Sequence, residues 1–499
     1  MLLKELFKSV DILNPEIFLN NNNFGEIDIL DLSFNSKNVL PGHVFVCLRG
    51  SNFDSHNFYK DAINNGAVCV VSSKKLEDVP NDIPAIIVKD TRKSLADISA
   101  NFFKHPAKEI KVIGITGTKG KTSTSFMINS VLNAAGFKSG IIGTLGIFLG
   151  SNFIKTNNTT PESYYVQKYL RQMVNNGFKY AVIEVSSIGL KTHRLDNIHF
   201  ECAVFTNFSL DHIGKGEHKN KDEYLESKAL LFSRCNSAFI NLDDEKSEYV
   251  AKRCKCKDIR FFSINKKNSD LLASNIKLVH ESDNFGVSFE TSGLVDLKVN
   301  LGILGKFNVY NALAAILVVH YLGINRDNII FGLKNVKIKG RMEVLPVPSN
   351  FKFKILIDYA HNSLSMENLL NTLREYNPKR LVVIFGSGGN RPKIRRYQLG
   401  ETSGKLADLS ILTSDNSRFE STSDIIKDIE VGMKKTNGKY IVILDRSEAI
   451  KYAIFNAKNG DLIVLAGKGH EDYEDIKGVK RQFSERDVVN KILSELTRK

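Results

Sequence analysis

The sequence predicts an α/β protein of three domains, and three observations carry that prediction. The chain has 499 residues, more than one hydrophobic core encloses, so about three cores are expected. Short apolar runs recur along it with helical patterns between them, the signature of mainly parallel sheets covered on both faces. A glycine-rich turn, Thr116–Ser123 (TGTKGKTS), stands between one such run and a helical stretch.

The first segment, residues 1–106, carries apolar runs at Val44–Leu48, Ala67–Val71 and Ala85–Val88, with a helical stretch near His56–Asn65. It reads as a small α/β domain, closed by Pro106, which disfavours helix in the residue before it. The second segment, 107–338, opens with a strand at Lys111–Thr116 and a helix from Lys121 to about Ala135. Strands at Tyr180–Val185, Cys202–Thr206 and Ser237–Asn241 follow, then shorter alternating runs over 270–300 that read as an added antiparallel flap. A helix at Asn308–Leu322 ends it. The third segment, 339–499, has strands at Lys354–Ile357, Leu381–Phe385, Leu409–Thr413, Tyr440–Leu444 and Leu462–Leu465. It reads as Rossmann-like, without the GxGxxG that would mark a dinucleotide site.

Composition excludes several classes. Hydrophobic residues make up 42% and charged residues 25%, ordinary for a globular protein. The start, MLLKELFKSV, lacks an apolar run long enough for a signal peptide, and no later run spans a bilayer, so a cytosolic protein without membrane contact is expected. Of six cysteines only Cys254 and Cys256 are closely spaced, with no second pair or histidines nearby for zinc, so reduced thiols are expected. The net charge of +14 comes from lysines spread along the chain among acids, with no nucleic-acid motif. A basic surface suits a substrate carrying pyrophosphate and carboxylates.

Thr116–Ser123 is the strongest local signal. After a strand and before a helix, glycines let backbone N–H groups cradle phosphates, and the helix amino terminus adds its dipole. Gly117, Thr118, Lys119, Gly120 and Ser123 would form the cradle. Lys121 would hold the β/γ-phosphates and Thr122 would offer its hydroxyl to Mg²⁺. The generic GxxxxGK[ST] is not met, since Ile115 stands where its first glycine belongs.

This short variant resembles the nucleotide loop of the Mur ligases and of their folylpolyglutamate-synthetase relatives, and further segments resemble that family in the same order. Glu184, at a strand end, would by this resemblance be the acid that holds a metal against the nucleotide. Thr206–His212 (TNFSLDH) is similar to TN-x-x-x-DH, whose histidine, His212 here, binds a second Mg²⁺. Lys228 matches the lysine carbamylated by CO₂, although by itself it looks like any surface helix lysine. Gly305–Ala312 is similar to the helix start whose asparagines, Asn308 and Asn311, read adenine. Gly340–Glu343 (GRME) and Asp358–Asn362 (DYAHN) place Arg341, Asp358 and His361 on the nucleotide. The resemblance thus implies ATP, two Mg²⁺ ions and a CO₂-derived carbamate on Lys228 as the catalytic set, with Lys121, Glu184 and His212.

Both ends of the chain are similar to the MurE type. Asn35–Lys37 and Pro41–Phe45 resemble the uridine-binding segment, which implies Phe34, Ser36, Ser51, Asn52 and Phe53 on the UDP-muramoyl substrate. Asn158, Thr159, Thr160, Ser187, Thr192 and Arg194 would continue along its peptide. Ile188 and Thr192 depart from the usual histidine and glutamine. Gly386–Arg391 and Ala466–Glu471 (AGKGHE) are similar to MurE-type segments, and Asp415–Arg418 (DNSR) occupies the amino-acid selection position. Diaminopimelate enzymes carry DNPR there, so the resemblance leaves diaminopimelate, lysine and ornithine open. Arg396 would take the amino acid's α-carboxylate and Glu471 its amino end, with Gly467, Asp415, Asn416, Ser417 and Arg418 around it. The implied reaction is a two-step ligation through an acyl phosphate, by a monomer acting on UDP-MurNAc-L-Ala-D-Glu and a dibasic amino acid. Two other readings are a folylpolyglutamate-synthetase-like ligase and a P-loop nucleotide switch. About a hundred residues before the loop argue against the first, and the DNSR and GKGHE segments against the second.

Overall fold

The computed structural model describes residues 1–18, 24–50, 53–209, 214, 218–281 and 284–497. The chain divides into two compact units, one of residues 1–274, 291–297 and 310–332, the other of 275–290, 298–309 and 333–499. The expected α/β class with parallel sheets is what it adopts.

The first unit holds two sheets. The smaller runs β1 (Asp31–Ser33), β2 (His43–Val46), β3 (Ala67–Ser72) and β4 (Ala85–Ile87) in that order, all parallel. Val44 and Val46 enter one apolar cluster and Phe45 and Cys47 another, so successive side chains leave opposite faces and both are covered. The larger sheet is built on β5 (Lys111–Thr116), flanked by β9 (Tyr180–Glu184) and β10 (Phe200–Phe205), all parallel. Beyond β9 lie parallel β6 (Ser139–Gly143) and the antiparallel strands β7 (Gly146–Leu149) and β8 (Asn152–Ile154). Beyond β10 lie β11 (Cys235–Asn241) and β12 (Asp258–Ser263), again parallel. The sequence reading lacked β6 to β8 and β12. β6 reads SGIIG, too short and too glycine-rich to register as an apolar run, and pairing to β9 on one side and β7 on the other makes it a strand. The alternating runs near 270–300 form β13 (Leu271–Glu281), β14 (Asn284–Gly293) and β15 (Leu297–Leu301), neighbours in that order, whose residues are divided between the two units.

The sheet of the second unit runs β16 (Glu343–Leu345), β17 (Lys354–Asp358), β21 (Asp461–Ala466), β18 (Arg380–Phe385), β19 (Leu409–Leu412) and β20 (Tyr440–Val442). All are parallel except the edge strand β16. Leu381, Val383 and Phe385 enter one core and Val382 and Ile384 the other, so this sheet too is covered on both faces. In such sheets ligands bind beyond the carboxyl ends of the strands.

Asp196, in the turn before β10, ties that turn to the start of β11. Its carboxylate accepts from His193 Nδ1 at 2.7 Å and Arg234 Nη1 at 2.8 Å. Burial pushes its pKa up, but those two partners outweigh burial and bring it from 3.8 to about 2. The stabilisation is therefore present above pH 4 and lost as pH falls towards 2. Asp196→Asn is expected to cost about 2 kcal/mol at pH 7. Urea denaturation at pH 7 and pH 2.5 checks this: the gap between variant and wild type should shrink at the lower pH, and an equal gap would disprove the linkage.

Candidate active site

In the first unit the glycine-rich loop leaves β5 and enters the helix Lys121–Ala134. Two of its glycines are required sterically. Gly117 has φ 150° and a Cβ there would lie 1.9 Å from Thr206 Oγ1. Gly120 has φ 89° and its Cβ would lie 2.3 Å from Asn311 Oδ1. The loop is anchored from the segment after β10: Thr118 N donates to Asn207 O at 2.9 Å, Lys119 N to Asn207 Oδ1 at 2.9 Å, and Thr206 Oγ1 to Lys119 O at 2.6 Å. Lys121 Nζ donates to Gly117 O at 2.8 Å and Thr118 O at 3.2 Å, arching over the loop.

Behind the loop sits Glu184, fully buried at the end of β9. Thr122 Oγ1 donates to its Oε2 at 2.8 Å, Thr144 Oγ1 to the same oxygen at 2.9 Å, and Thr144 N to Oε1 at 3.1 Å. Burial pushes its pKa up, opposed by the charge of Lys121 and these donors. A buried carboxylate beside hydroxyl oxygens at a phosphate loop is a hard-oxygen set that fits Mg²⁺. Among the described residues no cluster of three His, Cys, Asp or Glu could hold a metal. The fit is thus to an ion completed by nucleotide phosphates and water, as Mg²⁺ commonly is. His212 lies outside the described residues.

Lys228 is not the surface lysine its helix suggested. It is 1% exposed, its Nζ donates to Gly117 O at 2.8 Å, and it lies 4.4 Å over the Tyr224 ring. The fold carries it under the loop from 111 residues away.

Beside Glu184 runs a polar wall. Thr160 Oγ1 donates to Glu184 O at 2.8 Å and accepts from Ser186 N at 2.9 Å. Thr159 and Thr144 share a hydroxyl contact at 3.0 Å, and Asn158 is exposed. Arg194 donates to Thr160 O at 2.8 Å and pairs with Glu162 at 2.7 Å. Ser187 Oγ lies 2.8 Å from His218 Nε2. Thr192 turns its hydroxyl back to Ile188 O. A cavity of about 650 Å³ beside the helix Tyr59–Asn64 brings Ser36 and Phe53 together with Phe58 and Asn65. Phe34 does not line it, packing instead edge-on to Tyr164 and Tyr165. Ser51 and Asn52 lie outside the described residues.

In the second unit Asp358, at the end of β17, accepts from Met342 N and Ala360 N, each at 2.8 Å. Burial raises its pKa against the pull of Arg341. Arg341 stacks over Tyr359, 5.4 Å from the ring centre. Asn308 Nδ2 donates to Leu304 O at 2.7 Å. A cavity of about 160 Å³ opens beyond the carboxyl ends of β17, β18, β19 and β21. His361, Asp415, Asn416, Arg418, Gly467 and Glu471 line it. Asn416 Nδ2 donates to Glu471 Oε2 at 2.8 Å, joining two loops. Ser417 O closes on Gly389, where a Cβ would lie 1.9 Å away. Arg396 is not in the cavity: it is 1% exposed and its guanidinium is taken by Glu420 and Asp428 at 2.8 and 2.9 Å. Arg391 and Arg395, which sequence reasoning missed, stand there instead. The signal for Arg391 was its place two residues after the glycines that follow β18.

A glycine-rich loop between strand and helix, backed by a buried acid, and a small charged cavity at the carboxyl ends of a parallel sheet are the features of a nucleotide-dependent α/β enzyme. The Mur ligase middle-domain model matches residues 115–319, and the Mur ligase glutamate-ligase-domain model matches 340–469. A UDP-N-acetylmuramoyl-L-alanyl-D-glutamate–2,6-diaminopimelate ligase of Caldanaerobacter subterraneus subsp. tengcongensis is 40% identical over 94% of this chain and 95% of its own. The enzyme of that name from Clostridium perfringens is 38% identical over 99% of each. A solved structure bearing the same name superposes with a TM-score of 0.70 at 27% identity, over 96% of this chain and 97% of that one. The chain belongs to the Mur ligase family, ATP-dependent enzymes that form amide bonds in peptidoglycan synthesis. No helix among the described residues is long and apolar enough to cross a membrane.

Proposed function

We propose that this chain adds meso-diaminopimelate to UDP-MurNAc-L-Ala-D-Glu in the cytosol, as a monomer. One observation carries the choice of amino acid: the cavity sets arginines, Arg391 and Arg418, against the acids Asp415 and Glu471. An amino acid with an ammonium and a carboxylate at each end meets both signs, and arginine pairs carboxylates bidentately. The names of the relatives agree with this reading.

Residues 1–106 would bind the UDP-muramoyl part, 107–338 the ATP and 339–499 the incoming amino acid. The free side-chain carboxylate of the D-glutamyl residue attacks the γ-phosphorus of ATP; an acyl phosphate forms and ADP leaves. The free amine of diaminopimelate then attacks the acyl carbon, the bond to phosphate oxygen breaks, phosphate leaves and the nitrogen sheds its proton. Lys121 and the loop N–H groups neutralise charge on the moving phosphoryl group. Thr122 and Glu184 would hold one Mg²⁺, and His212 with a Lys228 carbamate the second. When bound, the ions would supply Lewis-acid polarisation of the phosphoryl oxygens.

Phosphate release with Mg²⁺-ATP and UDP-MurNAc-L-Ala-D-Glu, with meso-diaminopimelate, L-lysine or L-ornithine added singly, tests the reading. Release only with diaminopimelate is expected. Release only with lysine or ornithine would overturn the amino-acid assignment, and release with none would overturn the ligase reaction.

A further inference from the structure

We infer that Arg446, held by Glu485, is a positioning residue for the amino-acid pocket, setting the spacing of its two loops without touching the ligand. Arg446 is absent from the cavity lining, and both side chains are only 1% exposed. The guanidinium reaches three elements at once. Nη1 donates to Ser414 O at 2.9 Å, Nη2 to Ala466 O at 2.8 Å, and Nε to Glu485 Oε1 at 2.9 Å. Ser414 and Ala466 are the residues directly before Asp415 and Gly467, where the two pocket loops begin.

A fully buried ion pair is weak evidence for stability, since apolar residues of similar volume often serve as well. The planar fork offers something else: several donors at fixed angles, so the two carbonyls it binds are held at a fixed separation. That separation has little slack. A Cβ on Gly467 would lie 2.8 Å from Asp415 Oδ2, and the Asn416–Glu471 hydrogen bond spans the same gap. Burial works against the charge on Arg446, but Glu485 and Asp415 outweigh it. The next residue of the same helix (Glu485–Thr497), Arg486, pairs with Glu343 through Nε at 2.9 Å and reaches Gly469 O at 3.5 Å. The first turn of that helix therefore reaches the Gly467–Glu471 loop at two points, indirectly through Arg446 at Ala466 O and directly through Arg486 at Gly469 O.

The inference rests on the proposed reading of the cavity as the amino-acid site. Arg446→Lys keeps the charge and loses the fork; Glu485→Gln keeps the shape and loses the charge pair, and stands in should the lysine variant fail to fold. Apparent KM for the amino acid and for ATP are measured at saturating co-substrates, with whichever amino acid supports wild-type turnover. KM for the amino acid should rise about tenfold in both variants, while KM for ATP and kcat change less than about twofold. Unchanged amino-acid KM with only a lower active fraction or Tm would make the pair merely structural and overturn the inference alone. No wild-type turnover with any amino acid would overturn the function reading, and this inference with it.

Discussion

Lys121→Ala is expected to lower kcat by about 10²–10³-fold, the usual cost of removing one preorganised charge from a developing anion. Its Nζ donates to the carbonyls of Gly117 and Thr118, while the loop is held independently by the hydrogen bonds of Thr118 N, Lys119 N and Lys119 O to Thr206 and Asn207. The loop should survive the change, so the loss should appear in turnover rather than in Tm. A second readout follows from Glu184. Burial raises its pKa and Lys121 pulls it back down. Removing the cation favours the neutral acid, and a carboxylate must be ionised to hold a metal. The acid limb of the residual pH–rate profile should therefore move to higher pH. Near-normal turnover would remove Lys121 from the reaction; low turnover with an unmoved acid limb would separate its role from Glu184.

Arg418→Ala is expected to lower kcat/KM for meso-diaminopimelate by about 100-fold, since truncating one side of a buried charge pair typically costs a few kcal/mol. The backbone frame should persist. Arg418 sits at φ 51°, a conformation that arginine and alanine tolerate about equally, and its N–H donates to Asp475 O at 2.8 Å while its carbonyl accepts from Lys477 N at 2.6 Å. The change removes the side-chain hydrogen bond from Nη1 to Gly389 O at 3.1 Å. The discriminating measurement compares diaminopimelate with L-lysine, which lacks the distal carboxylate. The preference for diaminopimelate should collapse. Equal losses with both amino acids would mean that Arg418 holds the loop and not the carboxylate.

Two arginines show where sequence reasoning stopped. Arg395 and Arg396 are adjacent on the helix Lys393–Leu406, and successive helical side chains point about 100° apart. No local pattern says which of them faces the cavity. Glu420 and Asp428, from a later loop and helix, take Arg396, while Arg395 is left at the cavity with Arg391. Lys228 failed in the opposite sense: it lies in a nine-residue helix of mixed polarity, so it looked solvated until the fold placed Gly117 over it. Phe34 was named from its place beside a motif, and the fold sets its ring edge-on to Tyr164 and Tyr165, far away in the chain, which no local pattern foretells.

By itself the sequence determined the parallel α/β class, the strand–loop–helix at Lys111–Ala134 and the order of motifs that shows the family. These are written in periodicity and in local glycine and capping chemistry, which act over a few residues and need no partner. The tertiary structure alone decided which distant groups meet: Thr122 with Glu184 across 62 residues, Lys228 with Gly117 across 111, and the Asp415–Arg418 loop with Glu471 through Asn416. Such meetings depend on strand order, register and the packing of buried faces, quantities summed over the whole core that no single stretch of sequence carries.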